Sequence, residues 1–283
     1  MLVTACSPYA LDGSQMPTLG YQAAAFFCRI LTLGPMKAQR FEVIDALRGL
    51  AVVWMTFFHF SFDLNHFGYI RQNFYADPLW TWQRTMIVSL FLFCAGLGQA
   101  VALAQGHGWA RFWQRWVQVV ACALLVTLGS WLIYPGSFIY FGVLHGLALM
   151  LLLARLTCHW GRWLWWLGWL AIASVLIAPY AMNSWATSQL IELFNAPMLN
   201  WIGWITEKPV TEDYVPLLPW LGLVWWGLAT GNWLLRNRPG VLRHALAPAL
   251  KPLAWLGRWS LSYYMLHQPL LIGGLMLASW LVK

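Results

Sequence analysis

The sequence predicts an all-α fold, a polytopic transmembrane helix bundle of about seven spans, on three observations. Hydrophobic residues make up 60% of the 283-residue chain and charged ones only 9%, too few polar groups to cover a water-soluble globule. Apolar runs long enough to cross a bilayer recur along its length, and the mean hydropathy is +0.60. Those runs are rich in Leu, Trp, Gly and Ala without the strict alternation of barrel strands, which makes them helices.

In order, the predicted spans are 43–66, 79–104, 112–134, 138–156, 163–182, 214–235 and 257–281. Residues 1–36 differ in character. Their apolar run from Ala23 to Leu33 is short and interrupted by Arg29, a poor signal peptide, and Met36 with Lys37 and Arg40 behind it is an alternative start. This leader is read as disordered or upstream of the true start, with the transmembrane domain at 37–283. With the start of the first span inside, twelve of the 17 Lys and Arg fall on the inner side, among them Arg48, Arg111, Arg115, Arg155, Arg236, Arg238 and Arg258. The positive-inside rule therefore places the N-terminus in the cytoplasm of a multi-pass protein whose first partner is the lipid bilayer.

A net charge of +8 does not point to nucleic acid, because the basic residues are scattered between apolar runs as membrane loops require. Cys6, Cys28, Cys94, Cys122 and Cys158 are far apart and form no CxxC pair, so neither a disulfide framework nor a metal site is expected.

Five ionisable residues interrupt the first span: Asp45, Arg48, His59, Asp63 and His66. At about 100° per residue they share an arc of about 60°, and their 21-residue spread covers ~31 Å, close to the ~30 Å of a hydrocarbon core. Charges in lipid are costly unless they face a partner or a watery cavity, so the stripe marks a site. Asp45 and Arg48 are spaced to pair at the inner end, which suits either a structural or a donor-contacting role. His59 lies in the outer half, and Asp63 one turn on is placed to orient its imidazole as a base; helix packing is the plain alternative. His66 reads as an interfacial residue.

The last span reads Leu256-Gly-Arg-Trp-Ser-Leu-Ser-Tyr-Tyr-Met-Leu-His-Gln-Pro269. Pro269 frees a carbonyl one turn back, where His267, Gln268 and Tyr264 gather polar groups inside the membrane. His267 is an alternative base, and polar glue between helices is the plain reading. His145, a lone helical histidine, reads as a structural donor or as cavity lining. Asp213, entering the sixth span ahead of Pro216 and Pro219, is a candidate for acceptor recognition or a solvated loop end. Arg111 and Arg115 are suited to the phosphates of a nucleotide-bearing donor, although the positive-inside rule accounts for them without a ligand.

Five motifs occur in one order: Arg40-Phe-Glu-Val-Ile-Asp-Ala-Leu-Arg-Gly-Leu-Ala, the Phe91-Leu-Phe-Cys-Ala-Gly run, Phe141-Gly-Val-Leu-His145, Asp213-Tyr-Val-Pro-Leu-Leu-Pro-Trp-Leu-Gly222, and the last-span segment just quoted. Together they resemble the heparan-alpha-glucosaminide N-acetyltransferase catalytic-domain family, in its short bacterial members, over roughly residues 37 to 282. The resemblance implies an inner-membrane acetyltransferase that takes acetyl-CoA, with no metal, from the cytoplasmic side. It passes the acetyl group to an amine or hydroxyl of a small-molecule or glycan acceptor at the outer face. His59 matches the family's polar first-helix position by its spacing from Asp45; the family's luminal histidine has no matching motif, His66 lying nearest. On this reading His59, Asp63 and His267 are catalytic, Asp45, Arg48, Arg111 and Arg115 hold the donor, and Asp213, Tyr264, Gln268 and His145 contact the acceptor. A homo-oligomer is compatible with it. The residues alone leave two other classes open, a seven-helix transporter or proton-coupled permease, and a haem bundle using His59, His145 and His267.

Overall fold

A computed structural model describes residues 40–281; the leader expected at 1–36 lies outside them. Ten helices and no strand occur among the described residues: α1 (Glu42–His66), α2 (Pro78–Ala104), α3 (Trp109–Ile133), α4 (Val143–Leu156), α5 (Trp163–Trp185), α6 (Ser188–Asn195), α7 (Leu217–Asn237), α8 (Pro239–Arg243), α9 (Lys251–Arg258) and α10 (Ser260–Leu281). Of these, α1, α2, α3 and α5 are both long and apolar enough to cross a membrane. The 22 residues of α10 also reach across one, at ~1.5 Å each, and α7 is of similar length with a kink at Leu218, while Gly and Trp in α7 and the Ser-Tyr-His-Gln start of α10 dilute their hydropathy.

Predicted and observed bounds differ by a few residues at several spans, and at two of them the backbone shows why. The run 138–156 is helical only from Val143, and its 14 residues span ~21 Å. Ahead of it, residues 137–141 form a strap whose backbone bonds are taken elsewhere. Ile139 N–H donates to Ser130 Oγ and its carbonyl accepts from Thr127 Oγ1, while the carbonyls of Ser137 and Phe141 accept from the N–H groups of Glu212 and Val215. With those partners supplied by α3 and by residues 211–215, the helix has nothing to gain by starting earlier. The run 257–281 is broken at Trp259, so Gly257 and Arg258 end α9 and the last span begins at Ser260.

Glycines decide which helices touch. A Cβ on Gly96 of α2 would strike the Val224 carbonyl of α7, one on Gly227 of α7 would strike the Phe93 carbonyl of α2, and Gly231 packs against Ala100. Backbone-to-backbone approach through small residues is how helices associate where lipid removes the hydrophobic driving force. The same device joins α9 to α1, Gly49 against the Leu253 carbonyl and Gly257 against the Asp45 carbonyl. The largest core cluster, with Leu92, Met150, Leu164, Val224 and Leu228 fully covered, lies among α2, α4, α5 and α7. In contrast α3 buries only Phe112 and Ala123 and turns Leu124, Leu128 and Leu132 outward, as a lipid-facing helix does.

Candidate active site

At the end of the bundle that holds the start of α1, a cavity of about 340 Å³ opens between α1, α2, α3, α4 and α10. Five guanidinium groups reach it: Arg48, Arg111, Arg115, Arg155 and Arg258. Two of them are neutralised, since Arg48 donates to Asp45 Oδ1 at 3.1 Å and Arg258 lies 3.7 Å from Asp45 Oδ2 and 3.6 Å from Glu42. The other three have no carboxylate partner among the described residues. Arg155 is 7% exposed, bonds the His107 carbonyl, and has its plane 5.3 Å from the Trp109 ring and 5.8 Å from Phe112. Burial, and then the charges of Arg111, Arg115 and Arg155, hold the neighbouring His107 imidazole below its ordinary range. A concave site with an excess of positive charge is built for an anion.

Deeper in the bundle, three rungs join α1 to α10. In the first, Thr56 Oγ1 donates to the Val52 carbonyl at 2.8 Å and accepts from the Tyr263 hydroxyl at 2.8 Å. In the second, the rings of His59 and His267 meet with centroids 5.1 Å apart, and the Tyr263 ring stacks with His267 at 6.0 Å and 10°. In the third, Gln268 Nε2 donates to Asp63 Oδ1 at 2.9 Å. The Tyr264 carbonyl, 2.7 Å from His267 Nδ1, has no proton to give, so Nδ1 is the donor and Nε2 keeps its lone pair. That Nε2, Asp63 Oδ2 and Gln268 Oε1 are buried without a partner. Every orphaned atom of these rungs is an acceptor. Beyond Asp63 a recess of about 420 Å³, lined in part by Phe62, Asn65, His66 and Tyr75, opens at the far end.

The expected bond between Asp63 and His59 is not made. Asp63 reaches across to Gln268, and His59 has no hydrogen bond among the described residues. The i, i+4 spacing on α1 is satisfied, but the neighbouring helix offers each side chain its own partner. The predicted donor set divides similarly: Arg48, Arg111 and Arg115 line one cavity, while Asp45 stands behind Arg48. Tyr264 belongs to both regions, since it lines the cavity and its ring lies 5.6 Å from His267.

His145 stands apart, with both ring nitrogens engaged: Nδ1 accepts from the Gly142 N–H at 3.3 Å, and Nε2 is 3.0 Å from Thr127 Oγ1. With those nitrogens occupied and His59 touching His267, the three histidines do not frame a haem. Asp213 is also turned inward, its Oδ2 accepting from the Val143 N–H at 2.7 Å, where it caps α4 from a distant loop. Burial pushes its carboxyl upward, against the pull of Val143, Arg84 and Lys208. Sequence reasoning passed over Gln99 and Thr56, and it counted Arg155 only among the inner-side charges; Tyr263, read with Tyr264 as lying one turn before His267, does stack on that ring. Arg155, an arginine inside an apolar helix, carried a readable signal; Gln99 and Thr56 become meaningful only through their neighbours.

No curated protein and no solved structure matches the chain. The family model for the heparan-alpha-glucosaminide N-acetyltransferase catalytic domain matches residues 40–269, from the first helix through the His267-Gln268-Pro269 turn, and so takes in both the arginine-lined cavity and the histidine rungs. The chain belongs to the heparan-alpha-glucosaminide N-acetyltransferase catalytic family, and is a multi-pass membrane protein of acetyltransferase type.

Proposed function

We propose that the protein transfers an acetyl group from acetyl-CoA, entering by the arginine-lined cavity, to a primary amine that enters by the opposite recess. The observation that carries this reading is the set of orphaned acceptors, Asp63 Oδ2, Gln268 Oε1 and His267 Nε2. Leaving a buried polar atom unpaired costs about 1–3 kcal/mol. Helix glue has no use for three such atoms, whereas an ammonium brings three donors and no acceptor, the complement of this set. A hydroxyl acceptor brings one donor and adds lone pairs of its own.

In the reaction, Asp63 and Gln268 hold the ammonium and His267 Nε2 takes a proton from it. The freed lone pair attacks the thioester carbonyl, the C–N bond forms, and the C–S bond breaks as the tetrahedral intermediate collapses. One proton goes to the CoA thiolate and the other leaves through His267, with His59 beside it. No acetyl-enzyme is needed, because the two substrates approach the His59–His267 rungs from opposite ends of the bundle. Arg111, Arg115 and Arg155 hold the donor phosphates, with Arg48 at the cavity wall. The positive-inside rule turns this arginine end to the cytoplasm, and the acceptor is then acetylated at the outer face of an inner membrane. Purified protein in detergent, offered acetyl-CoA and glucosamine, is expected to release CoA thiol and form the N-acetyl product. Thiol release with alcohols and never with amines would overturn the amine assignment.

A further inference from the structure

Gln99 is the one polar side chain of α2 that is buried in the wall of the arginine-lined cavity, 8% exposed, and its carboxamide makes no hydrogen bond among the described residues. The proposed function gives it no task. Resting on the reading of that cavity as the acetyl-CoA site, we infer that Gln99 is a positioning residue, its carboxamide pairing with the pantoyl–β-alanine amide of the donor's pantetheine arm so that the thioester is set at the reaction depth.

Chemistry and length both select that amide. A carboxamide offers a donor and an acceptor together, and a secondary amide is the group that answers both. Along α2 the cavity runs from Ala102 past Gln99 to Phe91, with the unpaired arginines at the Ala102 end. Gln99 to Phe91 is eight residues, ~12 Å of helix. From the pantoyl amide carbon to the thioester sulfur is eight bonds, about the length of three extended residues or ~10 Å. Phosphates among the arginines and that amide at Gln99 therefore bring the sulfur to the level of Phe91 and Tyr264, beside His267. The second amide, closer to the sulfur, would leave the thioester several ångströms short.

Binding to the full-length protein in detergent tests this with two probes, acetyl-CoA and adenosine 3′,5′-bisphosphate, which has the adenosine and two of the three phosphates without the arm. Gln99→Met, of similar length and without hydrogen-bonding atoms, is expected to weaken acetyl-CoA binding about tenfold and to raise its KM, with bisphosphate affinity unchanged. A purely structural Gln99 would move both ligands together, and unchanged acetyl-CoA affinity in a variant that still binds the bisphosphate would overturn the proposal. Wild-type protein gives the same answer if the variant does not fold. S-acetylpantetheine should bind about tenfold better than its analogue with the pantoyl amide replaced by a ketomethylene, and equal binding refutes the pairing. If wild type binds neither acetyl-CoA nor the bisphosphate, the donor site itself is wrong, an outcome separate from failure at Gln99.

Discussion

His267 carries its chemistry in one hydrogen bond. With Nδ1 held by the Tyr264 carbonyl, Nε2 is the basic nitrogen, and His267→Ala is expected to lower kcat by about 10²- to 10⁴-fold while acetyl-CoA still stabilises the protein against heat. His59→Ala, which removes a ring contact and no hydrogen bond, should cost less; equal losses for both would mean that the two imidazoles share the proton. Asp213 predicts a different outcome. As a remote cap of α4, its replacement by Ala should cost about 1 kcal/mol of stability, read by thermal unfolding, whereas Asn keeps an acceptor for Val143 N–H. Because burial raises its carboxyl, folding favours the protonated form, and the stability it lends falls as pH rises from the ordinary carboxylate range through the raised value; Asp213→Asn should remove that step. The sequence made the Asp45–Arg48 pair legible, since i, i+3 spacing on one helix suffices. It could not show that Asp63 would choose Gln268, because that choice depends on the register of α10 against α1 and no local rule contains it.

Between elements, glycine contacts set that register. Gly257→Ala would drive a Cβ into the Asp45 carbonyl, forcing α9 off α1 and disturbing the entry of α10. Overpacking of this kind costs about 1–3 kcal/mol. The variant should therefore melt earlier in detergent and lose activity, while Gly273→Ala, with open space around its position, should do neither. Hydropathy located most of the helices well, because a lipid-facing or core helix must be apolar throughout. It failed at 138–156 for a specific reason: residues 138–142 are as apolar as a helix, but Thr127, Ser130 and residues 211–215 supply their hydrogen bonds.

Across the whole molecule, charge separates the two ends. Arg111, Arg115 and Arg155 leave the arginine-lined cavity with positive charge that no described carboxylate offsets, while the histidine rungs present acceptors and the Asp63 carboxylate. Arg111→Gln with Arg115→Gln should raise the KM for acetyl-CoA about tenfold and flatten its dependence on ionic strength, with kcat little changed, as steady-state kinetics at two salt concentrations would show. A steep salt dependence that survived the double variant would place the donor phosphates elsewhere. The arginine surplus at this end was visible in the sequence as a topology signal; its convergence with Gln99 and Tyr264 on one cavity was not, because it depends on how the helices pack.

Tyr264 lines the arginine-lined cavity and accepts from His267 Nδ1 with its carbonyl, so one residue touches both the cavity and the histidine rungs and fixes the tautomer of the imidazole. Tyr264 and His267 are one turn apart on α10, so a shift of that helix carries the 2.7 Å bond and the cavity wall together. A substitution that alters how Tyr264 packs in the cavity wall is therefore expected to reorient the His267 imidazole with no change at position 267 itself.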